Sequence, residues 1–366
     1  MKDKLSIARE KINEIDRKMA ELFVERMKAS ELVAEHKQEH GLEILDPIRE
    51  AEVIRRNSEL VENPVYREYY LNFQKSTMSI SRAYQSRLLE GMKVAYSGTE
   101  GAYAHLAASK LFPTAKKLGY GSFDEAYAAV EAGECDVAVL PIENSFNGDV
   151  GQVCDLMFSG SLYVNSMTEL AISHDLLAPK GTSLDDVKTV ISHPQALGQC
   201  HNYIVKHGFS EMEFSNTALA AKHVAKLNDG KSAAIASAEA AELFGLEVLA
   251  TNINESKSNT TRFAVFSRSK NKPAITDKRV HTILLFTVKH EAGALSRAIE
   301  IIAKYGFSMG ALRSRPMKEL LWQYYFYAEA EGDLASENGK QLMVALSNCC
   351  DKLKMFGSFQ YPADLH

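Results

Sequence analysis

The segment Asn259-Thr260-Thr261-Arg262-Phe263 closes a stretch of chain in which strand-like and helix-like patterns alternate. Two further polar segments precede it in that stretch, Pro141-Ile142-Glu143-Asn144-Ser145 and Ser192-His193-Pro194-Gln195. Around them, Lys93-Val94-Ala95-Tyr96-Ser97, Val137-Ala138-Val139-Leu140 and Thr189-Val190-Ile191 are short apolar runs of strand length. Residues 122–132, 195–206 and 217–228 carry helical patterns between them. Alternating β and α predicts a largely parallel sheet covered by helices.

Toward the N-terminus the pattern is purely helical. Residues 5–40 contain neither Pro nor Gly, and Ile12, Ile15, Met19, Leu22 and Phe23 recur at three- and four-residue steps. That spacing predicts one long amphipathic helix ended by Gly41. Asp46-Pro47 starts a second helix, with Asp as cap and Pro at the first helical position. Asn63-Pro64 breaks it, and a third runs from about Val65 to Leu89. Three helices alone make a small unit that needs a partner to build a core. Toward the C-terminus, residues 267–279 are polar, hold a Pro and read as a linker. Beyond them the order is strand 280–288, helix 293–304, strands 307–314 and 321–330, helix 335–348 and strand 352–359. That β-α-β-β-α-β order predicts a ferredoxin-like unit.

Composition narrows the function classes. The chain has 366 residues, a net charge of −5 and 46% hydrophobic content. The mild charge gives no reason to expect nucleic acid or an anionic membrane as partner. No apolar run approaches the roughly 18 residues of a membrane span, and no signal peptide precedes the first helix. Cys135, Cys154, Cys200, Cys349 and Cys350 form no Cys-x-x-Cys pair and are odd in number. Reduced thiols in the cytoplasm follow from that. No metal is expected, since there is no His-x-x-x-His and Cys200-His201 lacks a paired ligand cluster. No nucleotide cofactor is expected either: Gly98-Thr99-Glu100-Gly101 falls far short of a dinucleotide fingerprint. It could still offer amides to a carboxylate at a helix start.

A lone Thr-Arg-Phe recurs by chance, but three ordered segments in one α/β stretch resemble the prephenate dehydratase family. Residues 1–90 resemble a helical chorismate mutase, and residues 280–366 resemble an ACT regulatory domain. The chain as a whole is similar to the bifunctional chorismate mutase/prephenate dehydratase family of phenylalanine biosynthesis. The resemblance implies an all-α three-helix mutase domain, then a two-lobed α/β dehydratase domain at 92–270 like a periplasmic binding protein, then the α+β ACT domain. The segments near Glu169-Leu170-Ala171-Ile172 and Val248 would then mark the crossings between lobes. Chorismate and prephenate would be the substrates, phenylalanine the effector, and a homodimer the assembly.

In the helical segment the resemblance places Arg9, Arg26, Lys37, Asp46, Arg49, Glu50, Ser81 and Gln85 on the mutase substrate. Any one of them alone reads as the solvated face of an amphipathic helix. As a set they have spacing. Arg26 and Lys37 share a helix face about 16 Å apart along the axis. Ser81 and Gln85 are one turn apart, as are Asp46 and Glu50. Arg9 lies about 26 Å from Arg26 along a straight helix and points roughly 100° away. The two cannot hold one small substrate from one chain, so a mutase site using both draws Arg9 from a second protomer. The rearrangement of chorismate needs no acid, base or nucleophile. It needs a dicarboxylate held in its reactive conformer and hydrogen bonds to the ether oxygen. Arginines suit the carboxylates. Lys37 and Gln85 would serve the ether oxygen, and Glu50 the substrate hydroxyl.

In the α/β segment the resemblance places Thr261 beside the leaving hydroxyl and Arg262 on a carboxylate. Thr260, Asn144, Ser145 and Ser192 would hydrogen-bond the substrate. In a regular strand Thr261 and Arg262 face opposite ways, so only an irregular strand start lets both reach one cleft. His193 reads as structural or cleft-shaping. In the terminal segment Gly293-Ala294-Leu295 matches the motif that binds phenylalanine. The partner motif of the family, Glu-Ser-Arg-Pro, stands here as Arg313-Ser314-Arg315-Pro316, which reverses one charge. Two other functions fit the same features: a dehydratase whose helices serve only dimerisation, and a non-catalytic amino-acid sensor. A sensor has no need of the mutase-like residues.

Overall fold

The computed structural model describes residues 3–256, 258–270, 280–317 and 323–360. It divides into two compact units, Met1–Lys93 and Val94–His366. The first is three helices. In α1 (Lys4–Glu39), Asp3 caps the start by accepting from Ser6 N–H at 2.7 Å. In α2 (Pro47–Ser58), Asp46 accepts from Arg49 N–H at 2.9 Å and Pro47 takes the first turn, where no amide is needed. In α3 (Pro64–Glu90), Asn63 caps the start, and Gly91 at φ +76° ends the helix. Helix α3 packs on both α1 and α2. Only the C-terminal part of α1 is covered: its buried residues are Ser30 and Ala34. Ile12, Ile15, Met19, Leu22 and Phe23, the predicted apolar stripe, all stand exposed, Leu22 by 64%.

The second unit opens with β1 (Lys93–Ser97), α4 (Tyr103–Leu111), β2 (Lys116–Tyr120), α5 (Phe123–Glu131), β3 (Val137–Asn144), β4 (Gly148–Asp149), α6 (Gly151–Ser159) and β5 (Tyr163–Ala171). The chain then crosses to a second sheet through β6 (Asp175–Ala178), β7 (Thr189–Ser192), α7 (Pro194–Gln199), α8 (His201–His207), β8 (Ser210–Glu213), α9 (Thr217–Leu227), β9 (Ser232–Ala236), α10 (Ala238–Phe244) and β10 (Glu247–Ala250). It returns to the first sheet as β11 (Thr260–Ser267). The first sheet has the order β2-β1-β3-β11-β5, with β4 on β3, and the second has β10-β6-β9-β7-β8.

The expected largely parallel sheet is corrected to two mixed sheets. β1 and β3 are parallel, as are β7 with β8 and with β9. β11 is antiparallel to both β3 and β5, and β6 is antiparallel to β9 and β10. The parallel pairs are joined through helices. The antiparallel strands flank the two crossings, where the chain leaves one sheet and returns with its direction reversed. Each sheet has its own core, around Leu140, Met157 and Phe266 in one and Leu177, Ile191 and Ala234 in the other.

The terminal part follows the predicted order: β12 (Val280–Thr287), α11 (Ala294–Lys304), β13 (Ser308–Pro316), β14 (Tyr324–Glu331), α12 (Glu337–Ser347) and β15 (Lys352–Gln360). Its antiparallel sheet runs β13-β14-β12-β15. One face buries Leu284 and Phe286 against Ile302 of α11 and Leu342 of α12. The other places Ile283, Leu285, Tyr325, Tyr327 and Phe356 in the core of the first sheet. This alternation along β12 gives the terminal sheet two buried faces. Of the predicted linker, residues 271–279 lie outside the described residues, as do 321–322 of the predicted strand 321–330. No helix among the described residues is long and apolar enough to cross a membrane.

Candidate active sites

A cavity of ≈ 480 Å³ lies at the ends of both sheets. Ser97, Asn144, Asn259 and Thr261 line it from the first sheet and its flanks, and His193, Gln199, Asn216 and Thr217 from the second. Its polar wall is one connected chain of hydrogen bonds with a fixed direction. Asn144 Oδ1 accepts the backbone N–H groups of Phe146 and Asn147, each at 3.0 Å. Its amide nitrogen therefore faces the other way, donating to Asn259 Oδ1 at 2.8 Å and to Thr261 Oγ1 at 2.9 Å. Asn259 Nδ2 then donates to Gln199 Oε1 at 3.2 Å. That carbonyl also meets His174 Nε2 at 2.7 Å, so Nε2 carries a proton. His174 Nδ1 stands 3.0 Å from the Tyr103 hydroxyl. His174 is almost wholly buried, and that burial lowers its pKa, which favours the neutral ring. The consequence falls on Thr261. Its oxygen already accepts from Asn144, so its own proton is left for a group in the cavity.

No Lys or Arg is among the described residues lining this cavity. Two helix starts face it. Helix α4 begins at Tyr103 after Ala102, and α6 begins after Val150; no side chain caps either, and these residues line the cavity. Free amides at a helix start suit carboxylates.

In the helical unit, Arg26 Nη1 donates to Ser81 Oγ and, at 3.4 Å, to Thr77 O. Ser30, Thr77, Ser81 and Gln85 are buried polar residues of α1 and α3. Gln85 is 7% exposed, and its Oε1 has no hydrogen-bond partner among the described residues. A buried, unpartnered amide oxygen costs about 1–3 kcal/mol unless a ligand meets it.

Residues 94–271 match the prephenate dehydratase family model, and residues 8–86 match chorismate mutase type II. A bifunctional chorismate mutase/prephenate dehydratase of Enterobacter agglomerans is 31% identical, over 97% of this chain and 95% of that one. The chain belongs to the bifunctional chorismate mutase/prephenate dehydratase family. Arogenate dehydratase 2 of Petunia hybrida is 33% identical, over 90% of this chain and 86% of that one. The solved prephenate dehydratase of Arthrobacter aurescens, in complex with L-Phe, shares the fold at a TM-score of 0.68 and 24% identity, over 75% of this chain and 93% of that one.

Within this family framework several expected placements need correction. Arg262 does not face the cavity. β11 is regular against β5 through Thr261↔Leu170 and Arg262↔Glu169, so the two side chains alternate. The irregularity against β3 falls one residue later, between Arg262 and Phe263. Arg262 instead pairs with Glu329 of β14 at 2.7 Å and Glu143 at 3.2 Å. Ser192 is fully buried, and its hydroxyl donates to Ile235 O at 2.5 Å, tying β7 to β9. Ser145 Oγ donates to Ser258 O at 3.1 Å and accepts from Thr260 N–H at 3.0 Å, closing the strand end. The Thr260 hydroxyl turns to Ser258 O at 3.5 Å. Of the six expected dehydratase residues, Asn144 and Thr261 line the cavity. His193 also lines it and caps α7, its ring Nδ1 accepting from Gln195 N–H at 3.2 Å.

Tyr103, His174, Gln199 and Asn216 escaped the sequence reading because each stands alone outside any motif. Asn259 sat in the quoted segment, and its place beside Thr261 was the available signal.

In the mutase unit the expected set is also divided. Asp46 is spent as the α2 cap, and Arg49 pairs with Glu52 at 2.6 Å on the exposed surface. Glu50 pairs with Arg82, which the sequence reading did not single out. Lys37 Nζ donates to Ile44 O. Arg9 lies on the exposed half of α1.

In the terminal domain Gly293, at φ +79°, precedes α11 without a side-chain cap. Ser314 is exposed. Arg315 bonds Asp155 at 3.1 Å and the Tyr325 hydroxyl at 3.0 Å. A cavity of ≈ 350 Å³ at one end of this sheet, lined by Lys289, His290, Gln323 and Tyr324 among others, includes neither expected motif.

Proposed function

We propose that this chain converts chorismate to prephenate in its helical unit and prephenate to phenylpyruvate in the cleft. The observation that carries the second activity is Thr261, whose oxygen is occupied by Asn144 and whose proton is free. In prephenate the bond to the ring carboxylate breaks and its electrons aromatise the ring. Carbon dioxide leaves, and the ring hydroxyl departs with a proton as water. The site must therefore donate a hydrogen bond to that hydroxyl as charge develops on it. Thr261 is so placed, and the starts of α4 and α6 would hold the carboxylates. For the first activity, Arg26 and Ser81 would hold substrate beside Gln85, with Lys37, Glu50 and Arg82 around it. Incubating purified protein with chorismate tests both steps. Prephenate should appear first and phenylpyruvate after it. Phenylalanine, bound where Gly293 opens α11, should slow the second step alone. Prephenate that accumulates without phenylpyruvate would refute the cleft assignment, and phenylalanine without effect would refute the effector site.

A homodimer completes the mutase site in this reading. Fully burying an exposed apolar side chain gains about 1.5–3 kcal/mol, and each of these half-exposed side chains on α1 would gain part of that, so the stripe favours a second copy. Arg9, on that same exposed half, would then reach the partner's Arg26 site. Arg9→Ala and Arg26→Ala should each be without mutase activity. Mixed under conditions of demonstrated subunit exchange, they should recover part of it, because some heterodimers hold one site with both arginines. Exchanged heterodimers that stay inactive would place Arg9 outside the site.

A further inference from the structure

Asp149 is the one carboxylate among the described residues lining the cleft cavity, and it does not stand alone. Arg313 reaches it from β13 of the terminal sheet, with Nε 2.8 Å from Asp149 Oδ1. The same guanidinium bonds Glu143, which pairs with Asp149 across β3 and β4. The Tyr327 ring lies 5.2 Å beneath it. The Arg313 and Asp149 side chains are 18% and 25% exposed, although Asp149 sits on an exposed stretch of backbone, β4. Burial pushes the Asp149 pKa up, and Arg313 opposes that push.

We propose that Arg313 sets which substrate the cleft accepts, favouring the α-keto acid over its α-amino counterpart by engaging Asp149. This rests on the dehydratase reading above. An α-amino acid needs an anionic partner for its ammonium beside the donors that hold its carboxylate. Asp149 stands two residues before the uncapped start of α6 at Gly151, so the cleft contains both elements of such a grip. Arg313 neutralises one of them. A keto group needs no anion and loses nothing by that pairing, whereas an ammonium must compete with a guanidinium that bridges Asp149 and Glu143. The specificity residue thus comes from a domain other than the one that holds the reacting atoms.

The test compares kcat/KM for prephenate and for arogenate, in which an ammonium-bearing carbon replaces the keto carbon. The wild-type protein should prefer prephenate. Arg313→Gln should raise the arogenate-to-prephenate ratio about tenfold or more, the scale of a released charged hydrogen bond. Arg313→Met, which keeps an apolar stem over Tyr327, carries the same expectation should the glutamine variant not fold. Adding Asp149→Asn to either should cancel the gain, and Arg313→Lys should keep the wild-type preference. An unmoved ratio in a folded Arg313 variant, a gain that survives Asp149→Asn, or a wild-type preference for arogenate would overturn the proposal. A folded wild-type protein that converts neither compound would instead remove the dehydratase reading beneath it.

Discussion

Thr261→Ala should lower the rate of phenylpyruvate formation by about 10²- to 10³-fold, the scale of removing one preorganised donor to a developing charge. Asn144 Nδ2 loses an acceptor but keeps Asn259 Oδ1 at 2.8 Å and Thr260 O at 3.3 Å, so the wall of the cleft stays bonded. KM for prephenate should change little if, as proposed, helix amides and not Thr261 hold the carboxylates. Mutase activity should stay within a few-fold, since Thr261 lies in the other compact unit. Thr261→Ser keeps the hydroxyl and should recover most of the rate. Separate assays of the two steps on one preparation decide the matter. A serine variant as inactive as the alanine one would mean that Thr261 matters for its methyl packing and not for its proton. Equal loss of both activities in a folded variant would mean that the two reactions do not use separate sites.

Gln85→Glu should lower the mutase rate near neutral pH by a similar factor, about 10²- to 10³-fold, and regain it on acidification. An amide donates to the ether oxygen at any ordinary pH, whereas a carboxylate donates only when protonated. Its unperturbed pKa would be about 4.3. Gln85 is 7% exposed, so burial would raise that value, as would the substrate carboxylates, while Lys37 would lower it. The sign is fixed whichever prevails: below the glutamic acid's pKa the donor exists, and above it the donor is gone. Dehydratase activity at neutral pH should hold, which separates this effect from misfolding. A variant with a wild-type rate and a flat profile from acid to neutral pH would remove Gln85 from the ether oxygen.

Local signals made much of the architecture legible. The stripe of Ile12, Ile15, Met19, Leu22 and Phe23, the Asp46-Pro47 start and the Asn63-Pro64 break correspond to helices α1, α2 and α3 in the structure. Each is a near-neighbour effect, a cap or a periodicity, that the chain carries in a few residues. The β-α-β-β-α-β order of residues 280–360 was legible for the same reason. Strands β2, β6, β8 and β9 were not. β2 and β8 are short polar edges, and β9 reads Ser-Ala-Ala-Ile-Ala, whose small residues signal no element although all five are buried.

The sequence by itself determined which chemistry-bearing segments exist, and in what order. Asn144 and Thr261 stand in two of them, and both line the cleft. Only the tertiary structure decided the direction in which each side chain works. Strand register turned Arg262 away from Thr261 and onto Glu329, because adjacent residues of a regular strand face opposite sides and the bulge fell one residue late. Packing of a distant sheet brought Arg313 to Asp149, 164 positions earlier in the chain. His174 and Gln199 joined the same wall through hydrogen bonds across 25 residues. Caps and periodicities act between near neighbours and can be read along the chain. Register and sheet-on-sheet packing join residues far apart in sequence, and no local pattern records them.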